Sequence, residues 1–457
     1  MNLDALLNKK IHFIGIGGAG MSGLARIALS QGARVSGSDS KDSSVIAALK
    51  ALGATVFTSH DARNIDGADV VIYSNAIAPS NPERSFAHNE GLLVLTRAEG
   101  LAILMSESQS IAVAGTHGKT TTSSMLTVAL QAAGQDPSFA IGGTLNASGA
   151  NAHHGTGDIF VAEADESDGS FTEYHPFAAI ITNIEHDHVD YFATPQDVTD
   201  AFTEFVQTIQ PSGFIVFCND DEGSRLLGNV TLKSISYGTR EGSELRIDQI
   251  VLNAKGSRSR VLWRGKSVGT LELNVPGHHN ILNACAALAT GLALGLPAAE
   301  LISGLHSYQG TGRRFELKGT VHGIRVVDDY GHHPTEIKVT LEAARRYAGD
   351  GRVLVVFQPH RYSRTQAFLD GFAETLDLAD EVIVLAIYAA SEIPIPGVSA
   401  ELIVERMTKG SYIPNFIEAT DLIVSAARPG DVIITLGAGD VSSLAPIILE
   451  GLAKRFE

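Results

Sequence analysis

Short apolar runs alternate with segments of helical apolar spacing along most of this chain. The run Ile11–Ile16 leads through a glycine-rich turn into apolar positions three or four residues apart, which continue to Gly32. The run Ile111–Ala114 is followed in the same way by a turn and a helical segment that ends at Gly134. Because strand and helix periodicities alternate, we predict an α/β fold with parallel strands.

The alternation is interrupted at two places. Ser106–Ser110 is polar and predicts a linker, and Gly310–Glu316 is glycine-rich and basic and predicts a hinge. We therefore expect three domains, at residues 1–106, 107–312 and 313–457, of which the first and third are Rossmann-like. The central one should carry an antiparallel annex to its sheet. Further strands are expected at 33–37, 55–57, 70–73, 158–162, 178–182, 214–218, 245–247, 261–263, 271–273, 324–327, 353–357, 382–385 and 432–436.

The composition indicates a globular and acidic protein. Of the 457 residues, 44% are hydrophobic and 19% charged, and a formal net charge of −17 argues against a nucleic-acid partner. The longest low-polarity run, 284–299, is expected to be a buried helix, since it is shorter than the roughly 18 residues of a membrane span. No signal peptide is expected. These features predict a cytoplasmic protein without a membrane partner, with Cys218 and Cys285 as free buried thiols.

The first glycine turn, Gly15–Gly20, has the G-x-G-x-x-G spacing of a nucleotide-diphosphate site. Its glycines allow a tight turn and a close approach of the backbone to a pyrophosphate at the helix N-terminus. Asp39 ends the next strand about 20 residues later, where a ribose-binding carboxylate belongs. Ser74 and Asn75 follow another strand end, where open α/β sheets bind ligands. The pattern leaves the nucleotide open, and an NAD-dependent oxidoreductase is one alternative.

The second glycine turn, Gly115–Thr121, contains Lys119 and Thr120 and opens a helix. Strand, glycine turn, lysine, hydroxyl and helix are the layout of a phosphate-binding loop. Val113 stands where the Walker A pattern requires its first glycine, so this turn is a shorter G-x-x-G-K-T-T. The segment predicts a central domain of the P-loop ATPase type, and an ordinary strand-to-helix turn is the alternative.

Acidic and histidine residues follow the two next strands, at Glu163–Asp168 and Asn183–Asp190. Mg²⁺ binds hard oxygen ligands and bridges phosphate oxygens, so carboxylates at strand ends beside a lysine loop predict a metal site. Taken alone, each segment would also fit a solvated acidic loop.

Side chains suited to a base and to a carboxylate ligand lie farther along. Gly277–Asn283 opens an Ala-rich helix with more Asn and His side chains than a helix cap requires, which favours contacts to a base. In the third domain, Asp328–Pro334 and Gln358–Thr365 follow strand ends. Arg361 and Arg364, at a helix start, oppose the helix dipole, so a carboxylate ligand held by an Arg fork explains them better than stability does.

Together these motifs resemble the Mur ligases of peptidoglycan synthesis over essentially the whole chain. Besides the two glycine turns, the resemblance rests on Glu163–Asp168, Arg313–Phe315, Asp329–Pro334 and His360–Arg364. It implies an ATP-dependent ligase that joins L-alanine to the lactyl carboxylate of UDP-N-acetylmuramate through an acyl phosphate, giving UDP-N-acetylmuramoyl-L-alanine, ADP and phosphate. The nearest alternative in the family attaches a tripeptide to the same sugar, but His360–Arg364 and Gly17–Gly20 favour the alanine ligase. A non-catalytic nucleotide-binding regulator is a further alternative, disfavoured by the metal ligands and the arginine pair.

The resemblance also implies the site residues. Those expected to contact the UDP-sugar are Gly15, Gly17, Gly18, Ala19, Gly20, Met21, Ser22, Asp39, His60, Ser74 and Asn75. Those expected to contact ATP are Gly115, Thr116, His117, Gly118, Lys119, Thr120, Thr121, His279, Asn280, Asn283, Arg314 and Asp329. L-alanine would be bound by Tyr330, His332, His360, Arg361 and Arg364.

Thr120, Glu163 and His188 are expected to hold two Mg²⁺ ions, with Mn²⁺ as an alternative ion. Several sister ligases carry a carbamylated lysine as a further metal bridge, but no lysine occurs here between His188 and Lys233. Lys119 and Arg314 are the catalytic cations that the resemblance implies, and His332 and His360 are the candidates for a general base. The protein is expected to close its domains around its substrates and to be a monomer or a homodimer.

Overall fold

Three sheets account for the strands in the part of the chain that the structure describes. A computed structural model describes residues 3–229, 232–390 and 392–457. The sheets occupy successive regions of the chain and are mainly parallel, and the strands β13–β15 of the central sheet, defined below, form its antiparallel annex. The predicted α/β class is therefore confirmed.

The N-terminal region carries the first sheet. Its elements are α1 (Leu3–Leu7), β1 (Lys10–Ile14), α2 (Ala19–Ser30), β2 (Arg34–Ser38), α3 (Ser44–Ala51), β3 (Thr55–Phe57), β4 (Val70–Tyr73), α4 (Pro82–Asn89), β5 (Leu93–Thr96) and α5 (Arg97–Leu104), with a 3-10 turn at Ala62–Ile65. The strand order is β3-β2-β1-β4-β5, and the pairs are parallel. This order reverses at β1, so the first glycine turn leaves the sheet at its topological switch point.

The central region carries the second sheet. Its elements are β6 (Gln109–Ala114), α6 (Lys119–Ala132), β7 (Ser138–Ala140), β8 (Ala152–His153), β9 (Ile159–Glu163), β10 (Ala178–Ile181), α7 (Pro195–Gln207), β11 (Phe214–Cys218), α8 (Glu222–Leu226), β12 (Lys233–Gly238), β13 (Leu245–Leu252), β14 (Ser257–Trp263), β15 (Lys266–Leu273), α9 (His278–Ala293) and α10 (Ala298–Ser307), with 3-10 turns at Ser170–Glu173 and Leu227–Asn229. The order β15-β14-β13-β12-β11-β10-β6-β9-β7-β8 places β6, which leads into the second glycine turn, between β10 and β9.

The C-terminal region carries the third sheet. Its elements are β16 (Glu316–Val321), β17 (Ile324–Asp329), α11 (Pro334–Ala348), β18 (Val353–Phe357), α12 (Tyr362–Ala367), α13 (Leu369–Leu376), β19 (Glu381–Val384), α14 (Glu401–Val404), β20 (Ser411–Tyr412), α15 (Phe416–Ala426), β21 (Val432–Leu436) and α16 (Leu444–Phe456), with a 3-10 turn at Asp440–Ser443. The order is β16-β17-β21-β18-β19-β20, and only β16 runs antiparallel among these described strands.

Some element bounds were predicted wrongly. Gln109 and Ser110, predicted as linker, belong to β6, because Ser110 is buried and its hydroxyl accepts the Phe177 N–H at 3.3 Å. The annex strands are longer than their apolar cores, since alternate residues of β13 face outward. The run 284–299 is not one helix but the end of α9 and the start of α10, because Gly295 adopts φ +83° and Pro297 follows it.

Apolar packing joins the first two regions. One continuous cluster of buried side chains includes Phe13 and Leu24 of the N-terminal region and Phe160 and Phe202 of the central region. Cys218 and Cys285 are free and buried, as predicted. Among the described residues, no helix is both long and apolar enough to cross a membrane.

Candidate active site

The second glycine turn wraps the N-terminus of α6. Gly115 and Gly118 have φ of +131° and +81°, values that L-residues with a Cβ rarely adopt. A Cβ on Gly115 would overlap Thr182 Oγ1, and one on Gly118 would lie 2.7 Å from Asn283 Oδ1. Val113 is buried inside β6, so the turn simply begins later than a Walker A loop. These constraints argue against an ordinary turn.

Lys119 is a partly buried cation at the first position of α6. Its Nζ donates to the carbonyls of Gly115 (2.7 Å) and Thr116 (3.1 Å) and to Glu166 Oε1 (2.9 Å). Burial lowers the pKa of Lys119, but Glu166, Asp165 and Glu163 raise it, and the net shift is upward. The ammonium is therefore firmly protonated beside the helix start.

Hard oxygen donors lie next to Lys119. Thr120 Oγ1 donates to Glu163 Oε1 at 3.0 Å, and the Gly142 N–H donates to Glu163 Oε2 at 2.7 Å. Burial raises the pKa of Glu163, with Lys119 opposing it. A hydroxyl and a carboxylate in contact form a donor pair that suits Mg²⁺.

A second donor group consists of Asp165, Glu166 and His188, each with a ligand atom within 4.8 Å of the others. His188 Nε2 lies 3.5 Å from Glu166 Oε1, and His188 has a left-handed φ of +51°. The sequence prediction chose His188 but not Asp165 or Glu166. Their signal was present in the run Glu163–Asp168, but spacing alone could not say which of its carboxylates face His188.

A large cavity of about 780 Å³ lies between the central and C-terminal regions. The predicted ATP contacts on its wall are His117, Gly118, Thr121, His279, Asn280, Asn283, Arg314 and Asp329. Gly115, Thr116, Lys119 and Thr120 of the same prediction lie in the adjoining turn. The sequence prediction missed Tyr237, Pro276 and Tyr347, which also line this cavity and carry no motif signal.

The polar groups of this cavity are held in place. Burial lowers the pKa of His279 to about 4, so its imidazole is neutral and suited to a hydrogen bond with a base. Asn280 Nδ2 donates to the Pro276 carbonyl at 2.7 Å. Asp329 accepts the N–H groups of Phe315 and Gly331, each at 2.8 Å. Asp329 therefore fixes the segment that carries Arg314, besides lining the cavity itself.

His117 connects the second glycine turn to the C-terminal region. Its Nε2 lies 3.0 Å from Glu185 Oε2, and its Nδ1 lies 3.3 Å from Glu336 Oε1. Burial lowers the pKa of His117, but hydrogen bonds to Glu185 and Glu336 raise it by more. The net pKa is about 9. Thr335 Oγ1 donates to Glu185 Oε1 at 2.7 Å across the same junction.

The predicted alanine-binding residues lie together at this junction. The ring centroids of Tyr330 and His332 are 5.4 Å apart, and those of His332 and His360 are 5.7 Å apart. Burial lowers the pKa of His332 to about 4 and that of His360 to about 3, so both imidazoles are neutral at pH 7.

The two arginines of this group have partners that the sequence prediction did not include. Arg364 is buried and bonds both carboxylate oxygens of Asp187, at 2.9 and 3.1 Å, and Arg361 bonds Asp190. Burial raises the pKa of Asp187, but Arg364 outweighs it, and the net pKa is far below the usual range. Both guanidinium groups therefore bind carboxylates of the central region.

A small cavity of about 270 Å³ lies between the N-terminal and central regions. Of the predicted UDP-sugar contacts, it is lined by Gly18, Ala19, Gly20, Met21 and Ser74. Glu163 and Asp165 line its far side, next to the hydroxyl of Thr120. The Thr120–Glu163 pair therefore lies between the small and the large cavity, since Gly118 and Thr121 line the latter.

The other predicted UDP-sugar contacts lie outside this lining. The Gly17 N–H donates to Asp39 Oδ2 at 2.9 Å, so Asp39 holds the first glycine turn. His60 Nδ1 lies 3.0 Å from the buried Glu83. Ser22 donates to the Ala19 carbonyl at 3.1 Å, and Asn75 bonds Asp168 of the central region. Gly15 lies at the start of the turn with φ +81°.

The chain has three α/β regions, and a loop with the layout of a phosphate-binding loop lies between two cavities. These features define the class of multidomain nucleotide-binding proteins. Three family models match the chain in order: "Mur ligase family, catalytic domain" at residues 10–109, "Mur ligase middle domain" at 113–291 and "Mur ligase, glutamate ligase domain" at 313–439. The chain therefore belongs to the Mur ligase family, as the sequence motifs predicted.

Named relatives are similar over nearly their whole length. The UDP-N-acetylmuramate–L-alanine ligase of Renibacterium salmoninarum is 48% identical over 97% of this chain and 96% of that protein. The ligase of the same name from Saccharopolyspora erythraea is 49% identical over 98% and 94%. The crystal structure of the UDP-N-acetylmuramate–alanine ligase of Thermotoga maritima has a TM-score of 0.82 at 29% identity, covering 98% of this chain and 99% of that one. A murein peptide ligase of Psychrobacter arcticus has a TM-score of 0.72 at 25% identity, covering 97% and 99%.

Proposed function

We propose that this protein is an ATP-dependent ligase that joins L-alanine to the lactyl carboxylate of UDP-N-acetylmuramate, giving UDP-N-acetylmuramoyl-L-alanine, ADP and phosphate for peptidoglycan precursor synthesis. The observation that carries the proposal is that Thr120, next to Lys119 on α6, bonds Glu163 of the small cavity, while Gly118 and Thr121 on either side of Lys119 and Thr120 line the large one. A triphosphate in the large cavity and a sugar carboxylate in the small one would meet at this point. The identity to relatives of that name supports the choice of substrates.

Amide formation requires a better leaving group than oxide on the sugar carboxylate. The lactyl carboxylate attacks the γ-phosphorus of ATP, the bond from that phosphorus to the β–γ bridging oxygen breaks, and an acyl phosphate and ADP form. The alanine amine then adds to the acyl carbon, and the tetrahedral intermediate expels phosphate. Two anions must approach each other in the first step, so Lys119 acts by neutralising charge and by positioning the phosphate for in-line attack.

The donor sets beside Lys119 fit magnesium. Thr120 and Glu163 would hold one ion, and His188 a second one together with Asp165 and Glu166. When bound, Mg²⁺ supplies charge neutralisation at the phosphate oxygens.

L-alanine would bind at the junction that carries Tyr330, His332 and His360. Both imidazoles are neutral there. His332 Nδ1 donates to the Tyr330 carbonyl at 3.1 Å, which leaves the lone pair of Nε2 available for an amine proton, whereas His360 Nδ1 accepts from Arg364 at 3.2 Å. The alanine carboxylate would compete with Asp187 and Asp190 for Arg364 and Arg361. Substrate binding and the contact between the central and C-terminal domains would thus use the same cations.

Domain boundaries at 1–106, 107–312 and 313–457 belong to this proposal. The UDP-sugar would bind mainly to the first domain, ATP to the second and L-alanine to the third. Closure of the third domain onto the second would complete the site and exclude water.

Phosphate release from ATP tests the proposal. The purified protein is given ATP, Mg²⁺ and UDP-N-acetylmuramate together with single amino acids or short peptides. We expect release that requires L-alanine. Release only with a tripeptide would show the recycling activity instead, and release without any UDP-sugar would contradict both.

A further inference from the structure

Arg97 is a cation on the wall of the small cavity that the chemistry above does not use. It is the first residue of α5, directly after the Thr96 that caps this helix. Among the described residues that line the small cavity, Arg97 carries the only positive side-chain charge, whereas Glu163 and Asp165 are acidic. A cation facing this space therefore requires an explanation.

The guanidinium of Arg97 lies directly beside the first glycine turn. A Cβ built on Gly20 would lie 3.1 Å from Arg97 Cδ and 3.7 Å from both Nε and Nη1. Gly20 is the second residue of α2, where the backbone N–H groups of a helix start favour an anion. The arginine and the helix start thus face the same volume.

Arg97 also interacts with acidic groups of the central region. Burial lowers the pKa of Arg97, but its interactions with Tyr174, Asp165 and Asp168 raise it, and the net shift is upward. An anionic substrate that enters the small cavity would be repelled by Glu163, Asp165 and Asp168. A cation on the wall of the same cavity reduces that repulsion.

We infer that Arg97 binds the pyrophosphate of the UDP-sugar, completing the anion site formed by the first glycine turn. This inference rests on the proposed function, because the UDP-sugar is its ligand. The planar guanidinium donates two parallel N–H groups to phosphate oxygens, which a lysine ammonium does not. The same contact explains why position 20 is a glycine, since a Cβ there would press on the arginine stem.

Isothermal titration calorimetry on Arg97→Ala, Arg97→Lys and Gly20→Ala tests this assignment. One ligand is UDP-N-acetylmuramate, and the other is its analogue with a carboxamide in place of the lactyl carboxylate, which keeps the pyrophosphate. We expect Arg97→Ala to weaken both ligands by about 10- to 100-fold, as for a lost charge-assisted hydrogen bond. Arg97→Lys should recover only part of this loss. The exposed Arg34→Ala, which removes the same charge in the same region, should bind like the wild type.

Gly20→Ala tests the same contact if Arg97→Ala folds poorly. Alanine has a higher helix propensity than glycine, so α2 should form, while the Cβ displaces Arg97. We expect Gly20→Ala to weaken binding less than Arg97→Ala does, and by the same factor for both ligands. A loss confined to the carboxylate-bearing ligand would place Arg97 on the lactyl group and overturn the inference, as would unchanged binding in every variant. A wild type that binds neither ligand would refute the proposed function itself.

Discussion

The two glycine turns have the same strand–turn–helix form but organise charge differently. The first, Gly15–Gly20, contains only glycine, isoleucine and alanine, so its cation must come from another element. The second, Gly115–Thr121, carries its own lysine and hydroxyl and a histidine that reaches the C-terminal region. The comparison separates a turn that offers only backbone N–H groups to an anion from one that adds charged and polar side chains of its own.

Removing the cation of the second turn should have the largest effect. Lys119→Ala should reduce the rate of phosphate release by about 10³-fold or more, because the γ-phosphate loses its positioned positive charge. Affinity for UDP-N-acetylmuramate should change little, since we propose that this ligand binds at the first turn. Phosphate-release assays would measure the rate and calorimetry the affinity, on the same preparation. Lys50 is exposed, so Lys50→Ala is the matched control. Near-wild-type release from Lys119→Ala would contradict its role.

The histidine of the second turn should make stability depend on pH. The folded pKa of His117, about 9, lies above the unfolded value of 6.5, so its contribution is complete below pH 6.5 and is lost as the pH rises through 9. The contribution is on the order of 3 kcal/mol, and His117→Gln should remove it. Denaturant unfolding without nucleotide between pH 6 and 9.5 would measure the difference. Parallel pH profiles of the two proteins would count against the interaction of His117 with Glu185 and Glu336.

Backbone strain should also distinguish Gly115 of the second turn from Gly18 of the first. Gly115→Ala should lower the free energy of unfolding by roughly 1–3 kcal/mol, because the residue has a left-handed φ and its Cβ would overlap Thr182. Gly18→Ala should change it by less than about 0.5 kcal/mol, since Gly18 has φ −64° and a Cβ would meet the Gly15 carbonyl only at 3.4 Å. Equal losses in urea titrations of both variants would remove this distinction.

Removing the carboxylate of Asp39, which holds the first turn, should have the smallest effect. Asp39→Ala removes one hydrogen bond to the Gly17 N–H, so we expect the KM for UDP-N-acetylmuramate to rise about two- to tenfold with kcat unchanged. Steady-state kinetics with saturating ATP and L-alanine would measure this. A fall in kcat as large as that of Lys119→Ala would mean that Asp39 acts on the reacting groups.

Local signals predicted most of the fold and part of the site. The apolar runs located the central strands, and the glycine and lysine spacing located both turns, because these depend on residues near each other in the chain. Strands with polar or alternating residues, such as β12 and β16, were missed. Their stability comes from neighbouring strands, which a sequence window does not contain.

The sequence by itself determined the two glycine turns, the lysine and hydroxyl of the second turn, and the acidic run beside it. Left-handed glycines and a helix start are local requirements, so they are visible in the order of residues. Only the tertiary structure decided that Arg364 bonds Asp187, 177 residues away, that His117 meets Glu336, 219 residues away, and that Arg97 lies beside Gly20. Such contacts depend on how three sheets pack against one another, and no local pattern specifies that packing.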